Sequence, residues 1–544
     1  MKVCMQSLPV VKSRKLASIL LLVAAPLCMA QSTVESESRS AQASVTDRQS
    51  SEQIANELEQ MKARIEQLET QLKVKRTAEA TAATSEGLDS TSTVLKSTAL
   101  SVTGGGQSKD AKATPAEKQG PSEPFAYADW SWLNGTARTT TPIFDSKFFT
   151  PEIRFDSNFI QDFNHPRDNT IGGSTEVFRS NEFQLEQISF GGDFHWQNVR
   201  ARVLTMGGMF AVTTPRNDAS TARGQWDLRG AYRYFSEAYG GYHFNVNHGL
   251  NVDAGIFVSY IGLFSYYNFD NWAYQPSYVS SNTPWFFNGL RVQWFPTDKL
   301  KIEPWIINGW QSYARFGSKP GLGGQVMWRP KPWISIVSNN YGMGRDTLGN
   351  GFGNVNRTRL HTDNSVEIKY YDHPEKTLDK MAFSLTGDLG CEYGGGVSCH
   401  GNTSGGPKQS FVGWMGYNRF WFDKDQFGIT VGYGAMNNPG RYLTLLPPIN
   451  GADAVSGTPY FTANPGDPFK AWDTSLTFDW MPRQYITFRT EYGYRHANVP
   501  YFSGRGGITP PGGNTGTPSQ PVPGWAPDLS HDEREMRYAI LVKF

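Results

Sequence analysis

The residues able to do chemistry in this chain are charged and aromatic side chains set at regular intervals. They do not form a catalytic constellation. Nine histidines are scattered along 544 residues. None stands in a Gly-x-Ser-x-Gly or His-Glu-x-x-His spacing, which would pair a nucleophile or a metal-bound water with its base. Cys391 and Cys399 lie close together in Gly-Asp-Leu-Gly-Cys-Glu-Tyr-Gly-Gly-Gly-Val-Ser-Cys-His. In an oxidising compartment such a pair reads as a disulfide closing a small loop. Metal ligation with His400 is the alternative, but it lacks an evident fourth ligand, so neither metal nor cofactor is expected. The charged set is Arg200, Arg202, Arg233, Arg291, Lys301, Arg419, Arg489, Arg495 and Arg537 with Glu303, Glu367 and Glu491. Each falls at alternate positions of an otherwise apolar stretch, so these charges share one face of their strands. Cations outnumber carboxylates in this set, a bias that favours anionic or hydroxyl-rich solutes. Mutual pairing that stiffens a wall is the competing reading. The run Phe264–Tyr278 contains Tyr267, Asp270, Trp272 and Tyr274. It is too aromatic for a solvated loop. It is expected to fold inward as a constriction, its rings suiting the apolar faces of sugars; capping a rim or meeting a neighbouring protomer are the alternatives.

The elements that must carry these residues are strands. Met536, Tyr538, Ile540, Val542 and Phe544 alternate with Arg537, Ala539, Leu541 and Lys543 up to the last residue. A period of two makes one strand face apolar. An aromatic strand at the extreme terminus is an edge hazard unless it pairs in a closed barrel. With Tyr538 and Phe544 the terminus resembles the assembly signal of bacterial outer-membrane barrels. Similar alternation recurs at 250–260, 290–294, 366–370 and 486–495. Trp294, Trp328, Trp333, Tyr370, Trp480 and Tyr485 collect near segment ends, where interface girdles belong. Short connections such as Asn247-His248-Gly249 and Pro482-Arg483-Gln484 alternate with long ones near 163–181, 213–226, 263–283, 312–320, 343–361, 388–408, 438–467 and 498–532, provided that 228–246 is one long strand. The expectation is an all-β, transmembrane antiparallel barrel of about sixteen strands over residues 123–544. Residues 125–150 either add a hairpin, making about eighteen strands, or sit in the lumen.

Residues 1–30 read as a signal peptide: a basic start, an apolar run from Ala17 to Met29, and Cys28-Met29-Ala30 before the cleavage point. Within 31–75, Ile54, Leu58, Met61, Ile65, Leu68 and Leu72 recur at heptad spacing. A short periplasmic coiled coil over 51–75 is expected, too short to be stable without partner helices. Residues 76–122 are rich in Ser, Thr, Ala and Gly and read as a flexible linker. Mean hydropathy is −0.47, yet aromatics make up 13% of the chain, as suits a barrel with a polar lumen. A net charge of +1 gives no sign of a nucleic-acid partner.

Asp129-Trp130-Ser131-Trp132-Leu133-Asn134-Gly135, Thr283-Pro284-Trp285-Phe286-Phe287-Asn288-Gly289-Leu290-Arg291 and Trp305-Ile306-Ile307-Asn308-Gly309-Trp310-Gln311 resemble the OmpL-like β-barrel porin family over roughly 125–544. The resemblance implies a bacterial outer-membrane porin, a water-filled channel for passive diffusion of small hydrophilic solutes. Lipid, the barrel assembly machinery and two further copies in a homotrimer are the expected partners. A barrel adhesin or receptor, or a barrel enzyme, is the alternative. A plugged, energy-coupled transporter would need a larger barrel and a globular N-terminal plug, which 76–122 does not supply.

Overall fold

The computed structural model describes residues 123–544, apart from 175, 219–224, 316–318, 345–356, 395–396, 402–407, 440–467 and 507–527. The expected signal peptide, coiled coil and linker lie outside the described residues. Sixteen strands follow in order: β1 (Phe149–Asp162), β2 (Phe183–Trp196), β3 (Val199–Thr205), β4 (Phe235–Phe244), β5 (Leu250–Val258), β6 (Phe286–Thr297), β7 (Leu300–Ile307), β8 (Gly321–Lys331), β9 (Ile334–Gly344), β10 (Thr358–Asp372), β11 (Leu378–Tyr393), β12 (Ser410–Phe422), β13 (Phe427–Asn438), β14 (Phe469–Arg483), β15 (Ile486–Ala497) and β16 (Asp532–Lys543). Each pairs antiparallel with the next, and β16 returns to β1 to close the barrel. The closing register runs from Arg154 opposite Lys543 to Asp162 opposite Glu535. The C-terminal strand is therefore an interior ladder with both neighbours in place.

The alternation in sequence becomes an inside-out distribution of polarity. On β14, Asp473, Ser475, Thr477 and Asp479 are buried toward the lumen, while Leu476, Phe478 and Trp480 are exposed outward. On β16 the outward face carries Tyr538 and Ile540, and Arg537 and Lys543 point in. Lipid in place of water outside makes this arrangement favourable, because a charge on the lipid face costs about 2–4 kcal/mol at the midplane. Trp294, Trp328, Trp333 and Tyr370 are exposed beside the short turns, and Trp480 ends the same way, forming one aromatic belt.

One sequence expectation changes, and two points left open between alternatives are decided. The stretch 228–246 is not one strand: Leu228–Tyr232 is a short helix capped by the Asp227 side chain, and β4 begins at Phe235. Arg233 consequently lies at the C-cap of that helix, off the wall. Residues 123–148 form no hairpin; Phe149 starts the first strand, and of the preceding segment Trp130 to Ala137 are largely buried inside the barrel while Ile143, Phe144 and Phe148 are exposed. Cys391 and Cys399 are disulfide-bonded with Cα atoms 5.1 Å apart, so their sulfurs offer nothing to a metal.

Proline at Ala539, midway along the closing ladder, removes a donor that no water can replace in lipid. Ala539→Pro is expected to abolish the folded band on unboiled SDS gels, whereas Ala539→Val should retain it.

Candidate functional site: the barrel lumen

Period-two alternation brings the expected lumen charges together, and with them a set of carboxylates that the sequence reading passed over. Asp479 accepts from Arg489 Nε at 2.7 Å and Arg419 Nη1 at 2.8 Å. Glu491 accepts from Arg537 Nη1 at 2.9 Å and from the Thr477 hydroxyl at 2.6 Å. Arg202 joins Glu152, Asp193 and Glu237 at 2.8–3.0 Å. Asp253 lies 2.8 Å from Arg291 and 3.3 Å from Arg200. Lys301 meets Glu303 at 2.9 Å. Arg495 donates to the Gly173 carbonyl at 2.6 Å and stacks 4.1 Å over the Tyr278 ring. The parity that turns Arg291 inward also turns Asp253 inward, as it does Asp473, Asp479 and Glu535, so the signal was in the sequence. The expected excess of cations is thereby corrected: carboxylates outnumber cations among the buried wall charges. The tightest of these pairs are shielded from water; Glu491 is 0% and Arg537 2% exposed. Breaking one partner away from such a pair is far more costly than the pair is stabilising.

The loop between β5 and β6, residues 259–285 (L3), folds into the barrel. The wall charges grip its backbone. Tyr274 N–H and Gln275 N–H donate to Glu491 at 2.6 and 2.9 Å. Arg489 donates to the carbonyls of Asn268 and Asn271 at 3.2 and 2.6 Å, and Arg419 to that of Trp272 at 3.2 Å. Loop side chains reach β1, β4 and β12. Asp270 binds Arg154 at 3.1 Å. The Tyr274 hydroxyl donates to Asp156 at 2.9 Å, the Tyr267 hydroxyl to Glu237 at 2.7 Å, and the Trp272 ring meets Trp421 edge-on at 5.6 Å. Tyr267, Asp270, Trp272 and Tyr274 are thus all buried within the barrel, against the wall. Two wall glycines make room: a Cβ at Gly434 would collide with Ser277 Oγ, and one at Gly413 would come within 2.9 Å of Val279 Cγ2.

Residues 125–139 run through the lumen beside L3. Trp130 and Trp132 are fully buried beside Phe264, Trp272 and Trp421. Asn134 N–H donates to Glu367 at 2.8 Å. Arg138 donates to the Gln484 carbonyl at 2.9 Å and the Thr487 hydroxyl at 2.8 Å. Arg138 had no periodic pattern to betray it; only its fold neighbours reveal it.

A family model for Putative beta-barrel porin-2, OmpL-like, matches residues 155–521. The chain belongs to that family. It is an outer-membrane β-barrel porin. Among curated proteins none matches it. Solved structures it is similar to include the outer membrane channel DcaP of Acinetobacter baumannii (12% identity, 74% of this chain and 99% of that chain, TM-score 0.40). Others are OprB of Pseudomonas putida (10%, 73% and 94%, TM-score 0.40) and an anion-selective porin from Comamonas acidovorans (9%, 73% and 99%, TM-score 0.40).

In this porin, Asp479→Ala leaves Arg419 and Arg489 facing each other and should destabilise the barrel by about 3–5 kcal/mol. That appears as a lower urea midpoint for loss of the folded band, with Thr430→Ala as the mild control. Gly434→Val should unseat L3 and raise its protease sensitivity while the barrel persists.

Proposed function

We propose that this porin passes small, neutral, hydroxyl-rich solutes by passive diffusion, with L3 as the constriction that selects them. The observation that carries this is the pairing of every expected wall arginine on a strand with carboxylates or loop carbonyls. A lumen whose arginines are paired and whose buried carboxylates outnumber its cations gives no net pull on anions, so the anionic option of the sequence reading recedes.

The assembly reading is a homotrimer. β3 has 7 residues and β7 has 8, against 16 in β11. A seven-residue strand is about 23 Å long before tilt, short of the roughly 25 Å apolar band once tilted. Contact with neighbouring protomers would cover that low wall. The N-terminal coiled coil and linker would then lie in the periplasm below it, and Tyr538 and Phe544 would serve the assembly machinery.

The test is single-channel recording with reversal potential in a salt gradient, joined to liposome swelling. Open steps whose reversal potential shows no anion selectivity, and swelling with small sugars, are expected. Strong anion selectivity without sugar swelling would overturn the solute class. Trp272→Ala should enlarge the open step; an unchanged step would remove L3 as the constriction.

A further inference from the structure

We infer that residues 123–141 are a displaceable plug that closes the short-turn end of the barrel, so that opening the channel requires this segment to leave the lumen. The inference rests on the channel reading above.

The segment spans the barrel from one wall to the other. Phe125 N–H donates to the Asp298 carbonyl in the β6–β7 turn at 2.7 Å. The Tyr127 hydroxyl donates to the Arg329 carbonyl on β8. Asn134 reaches Glu367 on β10, and Arg138 reaches the β14–β15 turn. Thr139 accepts from Lys543 on β16 at 3.2 Å. Between these anchors Trp130 and Trp132 are 1% and 0% exposed, each a large apolar body occupying space that would otherwise be water.

The plug also latches L3. Trp272 N–H donates to Asn134 Oδ1 at 2.8 Å, and the Arg138 guanidinium stacks 4.5 Å over the Phe269 ring. Gly135, with φ of +70°, presses against the Leu263 carbonyl where no Cβ would fit. Yet the segment is held as a removable part. It contributes no strand to the barrel ladder, so its exit breaks no wall pairing. Trp132 Nε1 and Asn134 Nδ2 are buried without a hydrogen-bond partner, and such groups regain water on leaving. Its closing contacts are therefore numerous but individually exchangeable, as a two-state element requires.

The experiment compares single-channel records of the full chain with those of a chain whose residues 126–140 are replaced by a Gly/Ser run of equal length, which alters no strand residue. Both are first checked for the folded band on unboiled gels. The plug predicts rare, brief open steps in the former and a fraction of time open about tenfold higher or more in the latter. Trp130→Ala with Trp132→Ala should lie between the two, and serves if the replacement fails to fold. Equal open fraction and equal step size in all forms would overturn the plug while leaving the channel. Silence in every form would overturn both.

Discussion

Lipid offers no hydrogen-bond partner to a backbone, and the rest of the structure follows from that constraint. Every strand needs two neighbours, so the last strand must find the first, and β16 does so along nine residue pairs from Arg154–Lys543 to Asp162–Glu535. Closure in turn decides polarity. With apolar surface outside, the charged side chains of an alternating strand have only the lumen to occupy. Asp479, Glu491, Arg489 and Arg537 are therefore not scattered surface charges but members of one enclosed polar core.

An enclosed set of charges needs mutual neutralisation, and this requirement shapes the loop as much as the wall. Arg419 and Arg489 share Asp479 and spend their remaining donors on L3 carbonyls. Glu491 balances Arg537 and takes two L3 amides. The backbone groups of a loop without regular structure are thus satisfied by wall side chains, which is what allows L3 to be buried at all. The same logic reaches residues 123–148, where Glu367 receives an amide from Asn134. Wall, loop and N-terminal segment form one polar network, and a change in any one of them alters the electrostatic balance of the others.

Sequence alone determined the barrel and the order of short and long connections; it pointed to sixteen strands and an inward L3 while leaving an added hairpin and a rim cap as alternatives. The reason is that all of these rest on local regularities: a period of two, turn residues between alternating runs, and an aromatic density incompatible with solvation. The break at 228–246 escaped because Asp227, a capping side chain for the helix Leu228–Tyr232, lies just outside an aromatic stretch that alternates well enough to pass for strand.

What only the tertiary structure decided is which charges meet and what fills the lumen. Asp253 and Arg291 lie on neighbouring strands, and their contact depends on register, which no single strand's pattern contains. Arg138 and Trp132 sit in an aperiodic segment whose anchors are distant in sequence, up to 349 residues away for Arg138. Periodicity reports the face of an element to which a residue belongs. It carries no information on what crosses the space that the closed elements surround, so the content of the lumen had to come from the fold.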